Sequence, residues 1–211
     1  MNFGDPKKMI KNIIFDVGNV LVNFRDIDYM LDLGFSKELA EYFQKHIVKN
    51  PLWQELDRGV LNPEDVMDEM KTLVPEYPKE ADLFFERLDE IVESFPYAKE
   101  WLMDLRKRGY CTYLLSNYPK DLFEHHVTSG RFTFIDQIDG KIVSAYEKVI
   151  KPDPAIYKIL LDRYTLVPEE CVFLDDRLEN VEGAKAFGIH GIHFTDYKTA
   201  KEQLENLLEN R

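Results

Sequence analysis

Four short apolar runs, widely spaced along the chain, set the strongest limit on its fold: Asn12 to Phe15, Cys111 to Leu115, Cys171 to Leu174 and His190 to Phe194. Each is rich in aromatic and branched apolar residues and suits a strand buried on both faces of a parallel sheet. Amphipathic stretches separate them. Ala98, Trp101, Leu102 and Leu105 repeat at the helical period before Gly109, and Ile156, Ile159, Leu160 and Tyr164 do so after Pro152 and Pro154. Strand alternating with helix in this way predicts a doubly wound, Rossmann-like α/β fold built on a parallel sheet.

Between Phe24 and Pro96 the pattern changes. Strand-like runs vanish and helical periodicity is nearly continuous, broken at Gly34, Asn50 to Pro51, Gly59 and Pro75 to Pro78. The segment 24–95 is therefore expected to be a small helical insertion after the first strand, lying over the sheet edge, with the core formed by 1–23 and 96–211. Its last helix is expected to carry Phe84, Leu88, Ile91, Val92 and Phe95 on one face, and its aromatic residues, Trp53 among them, to pack the bundle.

Charge narrows the partners. Against 27 basic side chains the 211 residues carry 39 acidic ones, a formal net charge of -12, which repels polyanions and excludes the electrostatic attraction that dominates nucleic-acid binding. No run approaches the roughly 18 apolar residues of a membrane span, and the opening MNFGDPKKM lacks the apolar stretch of a signal peptide. Cys111 and Cys171, each among strand-like apolar residues, read as two reduced core thiols, and a cytoplasmic location follows from this usage.

Three of the four strands run into polar residues at their C-terminal ends: Phe15 into Asp16, Leu115 into Ser116 and Asn117, Leu174 into Asp175 and Asp176. In an open α/β sheet that edge binds ligands. Asp175 and Asp176 leaving one buried strand repel each other unless a cation joins them. Asp16, Asp175 and Asp176 with Lys151 and one divalent ion make a neutral set, and all-oxygen donors suit Mg2+ rather than zinc. Taken alone, the aspartate pair admits another reading, one carboxylate capping the next helix and the other solvated.

Together these residues resemble the haloacid dehalogenase-like (HAD) superfamily of hydrolases. Asp16-Val17-Gly18-Asn19-Val20-Leu21 resembles its first motif, Leu115-Ser116-Asn117 its second, and Lys151-Pro152-Asp153-Pro154 with Ile156 and Tyr157 its third. Phe173-Leu174-Asp175-Asp176, followed by Asn180, Glu182, Gly183 and Ala184, resembles the fourth. The FDxGNV form of the first motif is similar to that of bacterial sugar-1-phosphate (glucose-1-phosphate) phosphatases, in which a helical cap is inserted where 24–95 lies. The resemblance implies a Mg2+-dependent phosphatase acting on a small-molecule phosphate ester. Asp16 would be the nucleophile, transiently phosphorylated. The metal would be held by Asp16, the Gly18 carbonyl and Asp176, with Asp175 reaching it through water. The Ser116 hydroxyl and the Asn117 backbone N–H would bind phosphoryl oxygens, and Lys151 would bridge carboxylates and phosphoryl group. Asn180 either bonds to the metal surroundings or only begins a helix.

One position departs from the pattern. Two residues after the nucleophile such phosphatases carry an aspartate that protonates the leaving group, and here that position is Gly18. The departure keeps open a noncatalytic phosphate-ligand-binding protein, and the shared nucleophile keeps open a 2-haloacid dehalogenase-type hydrolase, although that reaction needs no metal and leaves the Asp175–Asp176 pair unexplained. His125 and His126 offer themselves as replacement acids, but their place after the second motif reads as a surface helix face.

Overall fold

A computed structural model describes residues 9–209; residues 1–8, on which the reading of the N-terminus falls, lie outside the described residues. The strands are β1 (Asn12–Phe15), β2 (Val22–Phe24), β3 (Val92–Ser94), β4 (Cys111–Ser116), β5 (Gly140–Val143), β6 (Cys171–Asp175) and β7 (His190–His193). Five form one parallel sheet in the order β5-β4-β1-β6-β7, so the nucleophile candidate's strand is central, flanked by β4 and β6. Each of the four apolar runs is a strand. The sequence missed β5, whose Gly-Lys-Ile-Val is too short and too mixed to stand out.

Side chains alternate across the sheet, as the two-residue period of a strand requires. Ile13 and Phe15 point into one apolar layer with Leu114, Leu174, Trp101 and Leu105, while Ile14 joins Leu115, Phe173, Ile156 and Leu160 in the other. The helix Ala98–Lys107 covers the first face, where Phe15 meets Trp101 edge-on at 5.1 Å. The helix Pro154–Tyr164 covers the second; Asp153 caps it by accepting from the Ala155 N–H, and Pro154 occupies the first turn, where its missing N–H does no harm. No helix among the described residues is long and apolar enough to cross a membrane.

The segment between β2 and β3 differs from expectation in two respects. It leaves and rejoins the core through an antiparallel ribbon, Val22 opposite Ser94 and Phe24 opposite Val92, where the sequence showed no strand; three residues per strand leave no readable period. The single apolar helix face divides into three elements. Phe84 lies in the helix Pro78–Glu86, Leu88 and Ile91 in a 3-10 turn, and Val92 in β3. All four side chains are nonetheless buried, because the apolar spacing fits any of those conformations. Within this segment Asn50 caps the helix Pro51–Arg58 and Gly59 ends it at φ 64°, in the left-handed region that glycine adopts without strain.

Cys171 is buried, but Cys111 is exposed, which corrects the expectation of two core thiols. Cys111 opens β4, and its side chain falls at the strand's start, before the core layers close around Thr112 to Ser116.

Candidate active site

β1, β4 and β6 end at one edge of the sheet and deliver Asp16, Ser116 and Asp175 to a common point. Lys151 reaches it from the loop before the helix Pro154–Tyr164. Its Nζ donates to Asp16 Oδ1 at 2.8 Å, to Asp175 Oδ2 at 2.7 Å and to the Leu115 carbonyl at 2.7 Å, with the side chain essentially inaccessible. Burial alone would lower the ammonium pKa, but the carboxylates of Asp16 and Asp175 outweigh it and hold the pKa above its ordinary value. The loop is locked by Asn117, whose side chain donates to the Lys151 carbonyl at 3.1 Å and accepts from the Lys151 N–H at 2.7 Å. Sequence reasoning assigned only the Asn117 backbone amide and missed this clamp.

Asp175 is fully engaged. Oδ1 accepts from the Arg177 N–H at 2.8 Å and from Asn180 Nδ2 at 3.0 Å, and Oδ2 accepts from Asn180 Nδ2 at 3.1 Å as well as from Lys151. Asn180, buried in the helix Leu178–Lys185, therefore orients Asp175, a third role beside the two weighed from sequence. Asp176 is held differently: Oδ2 accepts from Asn19 Nδ2 at 3.0 Å, and Asn19 itself sits at φ 54° in the tight turn after Val17 and Gly18.

Oxygens of Asp16, Asp175 and Asp176 lie within 4.8 Å of one another. Burial first, with the neighbouring Asp175 and Asp176 adding to it and Lys151 opposing it, pushes the Asp16 carboxyl up to about 7. Burial likewise raises Asp176, against the hydrogen bond from Asn19. Three carboxylates around one ammonium are two positive charges short of neutrality, which fits a divalent cation, and the all-oxygen donor set fits magnesium. A second sign points to a ligand. The Ser116 hydroxyl is buried and has no hydrogen-bond partner among the described residues, and so stands ready to donate to one.

Above these groups lies a cavity of about 320 Å³. Its apolar wall includes Phe24, Trp53, Ile91, Tyr118 and Ile150; Gln54, Asp57 and Arg177 contribute polar groups. Trp53 thus faces the cavity as well as packing the bundle, where it meets Phe24 and Phe84 edge-on. Neither Trp53 nor Asp57 carried a signal in the sequence, since both sit in an ordinary amphipathic helix far along the chain from every motif. Gly18 faces open space: a Cβ there would meet nothing within 4 Å, and its φ is not positive.

His125 is exposed, as expected, but His126 is fully buried, which corrects the surface reading. The helix Lys120–Thr128 turns Phe123 and His126 inward together, one helical turn apart. His126 Nε2 donates to the Asp89 carbonyl at 2.8 Å, which leaves Nδ1 to accept from the Tyr118 hydroxyl at 2.8 Å. It is committed to packing and is not a replacement acid.

A family model described as haloacid dehalogenase-like hydrolase matches residues 10–188. A sesquiterpene phosphatase of Aspergillus oryzae is 28% identical over 199 residues, 94% of this chain and 96% of that protein. A D-ribitol-5-phosphate phosphatase of Bacteroides thetaiotaomicron is 28% identical over 194 residues, 85% and 89% of the two chains. An (S)-2-haloacid dehalogenase of a Pseudomonas strain is 27% identical over 111 residues, 53% of this chain and 48% of that one. Among solved structures, a HAD family enzyme from Bacteroides thetaiotaomicron in complex with magnesium and inorganic phosphate superposes with a TM-score of 0.68 at 24% identity, covering 90% of this chain and 98% of that chain.

Proposed function

The chain belongs to the haloacid dehalogenase-like hydrolases, and from that premise we propose that it is a magnesium-dependent phosphatase of small phosphate monoesters with Asp16 as its nucleophile. One observation carries the reading: a buried carboxylate at the end of the central strand lies beside a buried lysine, two further carboxylates and a serine hydroxyl without a partner among the described residues. Asp16 attacks phosphorus through the oxygen not bonded to Lys151, the ester P–O bond breaks, and an acyl phosphate forms; water then attacks that phosphorus and frees Asp16. Lys151 stays ionised beside Asp16 and Asp175, so it offsets negative charge gathering on the phosphoryl oxygens, and the Ser116 hydroxyl donates to one of them. Magnesium, held by Asp16, the Gly18 carbonyl and Asp176, with Asp175 behind them, would supply the charge that keeps the three carboxylates ionised and neutralises the phosphate.

Residues 24–95 serve as a cap that limits the site to small substrates, since a cavity of about 320 Å³ is near the lower end of ligand pockets. Sugar phosphates are one substrate class, with hexose 1-phosphates ahead of 6-phosphates because the anomeric oxygen leaves more readily. The apolar wall around Trp53 and Ile91 supports a second class, phosphate esters of compact apolar alcohols. The test is phosphate release from p-nitrophenyl phosphate and from a panel of both classes, with EDTA abolishing it and magnesium restoring it. Full activity in metal-free buffer would sink the metal assignment, and halide release from 2-chloropropionate without phosphatase activity would favour dehalogenation.

A further inference from the structure

Cleavage of an alkyl phosphate leaves a proton to be supplied to the departing oxygen, and Gly18 has no side chain to supply it. The cavity wall contains three carboxylates, those of Asp16, Asp176 and Asp57. The first two are used, as nucleophile and metal ligand. Asp57 comes from the inserted segment, in the last turn of the helix Pro51–Arg58, and lines the same cavity as Gly18, beside which a Cβ would meet nothing within 4 Å.

We propose that Asp57 is the general acid and base of this site, taking over the task that Gly18 cannot perform; the assignment rests on the phosphatase reading above. As the Asp16–P bond forms and the ester P–O bond breaks, the Asp57 carboxyl gives its proton to the leaving oxygen, which departs as an alcohol. The resulting Asp57 carboxylate then takes a proton from water as that water's oxygen bonds to phosphorus and the Asp16–P bond breaks. Phosphate leaves, and Asp57 is again protonated.

Three features of the structure fit it for this task. First, its helix end is fastened to the core. The Asp57 carbonyl accepts from the Ser144 hydroxyl, which itself accepts from the Tyr118 N–H at 2.9 Å, and the Gly59 carbonyl accepts from Lys148 Nζ. At Gly59 the backbone lies so close to Ala145 that a Cβ would stand 2.8 Å from the Ala145 Cβ. Second, no hydrogen bond holds the Asp57 carboxylate among the described residues, in contrast to the fully engaged Asp175, so a substrate oxygen can approach it. Third, the groups around it favour a carboxyl that keeps its proton near neutral pH. Burial raises Asp57 to about 7, with Asp16 adding to the effect and Lys151 and Arg177 opposing it; Tyr118, the remaining titratable neighbour, is held neutral by its own burial. A general acid operates best with a pKa near the working pH.

The test compares wild type with Asp57→Asn, in the full chain with saturating magnesium, on p-nitrophenyl phosphate and on a series of aryl and alkyl phosphates of rising leaving-group pKa. The expected loss in kcat/KM, which ends at phosphoryl transfer to Asp16, is about 10²- to 10⁴-fold for alkyl esters, far smaller for p-nitrophenyl phosphate, and graded between them, whereas kcat falls for every ester because hydrolysis of the acyl phosphate loses its base. Asp57→Ala must show the same selectivity, and either variant carries the comparison if the other fails to fold. Equal losses in kcat/KM across the series, or a rise in KM with kcat unchanged for every ester, would overturn the assignment of Asp57 while leaving the phosphatase reading intact. A wild-type protein that cleaves none of the esters would overturn both.

Discussion

Replacing Lys151 by methionine keeps the length and most of the volume of the side chain but removes its charge. The structure then leaves the carboxylates of Asp16 and Asp175 without the ammonium that stands 2.8 and 2.7 Å from them, and the Leu115 carbonyl without its donor. Breaking a buried ion pair from one side costs about 3–5 kcal/mol, because the remaining charge keeps its desolvation penalty. For a chain of this size each kcal/mol corresponds to roughly 2–4 °C in Tm, so Lys151→Met should melt on the order of 10 °C below wild type in EDTA. The deficit should grow from pH 5 to pH 8. Asp16 is already raised by burial, and the loss of Lys151 raises it further, so its protonated form supports the fold at low pH and that support is lost as pH rises through the folded pKa. Thermal denaturation followed by circular dichroism at both pH values reads the effect. Magnesium should raise the Tm of Lys151→Met more than that of wild type, and adding Asp16→Asn should recover part of the loss. A variant within about 2 °C of wild type at pH 8 in EDTA would refute the claim that Lys151 is the counter-charge of the site.

Asp176→Ala should weaken magnesium binding in a metal titration far more than Asn180→Ala, because Asn180 acts only through the orientation of Asp175; equal losses would contradict this ranking. His126, which burial pushes down to about 4, is neutral in the fold, so stability should fall with pH between about 6.5 and 4 by at most about 3 kcal/mol from this group. Asp16 and Asp57 act in the opposite sense over the same range, so the effect is read as the difference in denaturant stability between wild type and His126→Gln, and a difference independent of pH would dismiss it. Gly59→Ala should destabilise by roughly 2 kcal/mol or more, since it meets both left-handed backbone strain and the Ala145 backbone at 2.9 Å, while Gly18→Ala should fall within about 0.5 kcal/mol of wild type. Similar losses for the two variants would show that the space around them has been misjudged.

The central sheet was legible because strands buried on both faces leave continuous apolar runs, and the edge of the site was legible because three of those runs stop at carboxylates or hydroxyls. β5 and the β2–β3 ribbon were not, since three or four residues show no period. Cys111 and His126 show a different limit. Apolar neighbours suggested an inside thiol and a place after the second motif an outside histidine, whereas position at a strand start and on the inward turn of a helix decided both. Asn180 and Asn117 stood within recognisable motifs, yet their work is to orient Asp175 and to lock the Lys151 loop, which only the folded geometry discloses. Asp57 and Trp53 were hidden for a further reason. Their contribution depends on how a helical segment closes over a distant strand edge, and local sequence carries no record of that approach.

The central claim, that Asp16 carries the phosphoryl group, is tested most directly by trapping it. Protein with magnesium and a substrate found to turn over is quenched with borohydride, which reduces an acyl phosphate to an alcohol, and peptides are then mapped by mass spectrometry. Reduction at Asp16, dependent on substrate and magnesium and absent in Asp16→Asn, which should also lose turnover by orders of magnitude, is the predicted result. Sustained turnover by Asp16→Asn, or a trapped acyl phosphate at another carboxylate, would contradict it.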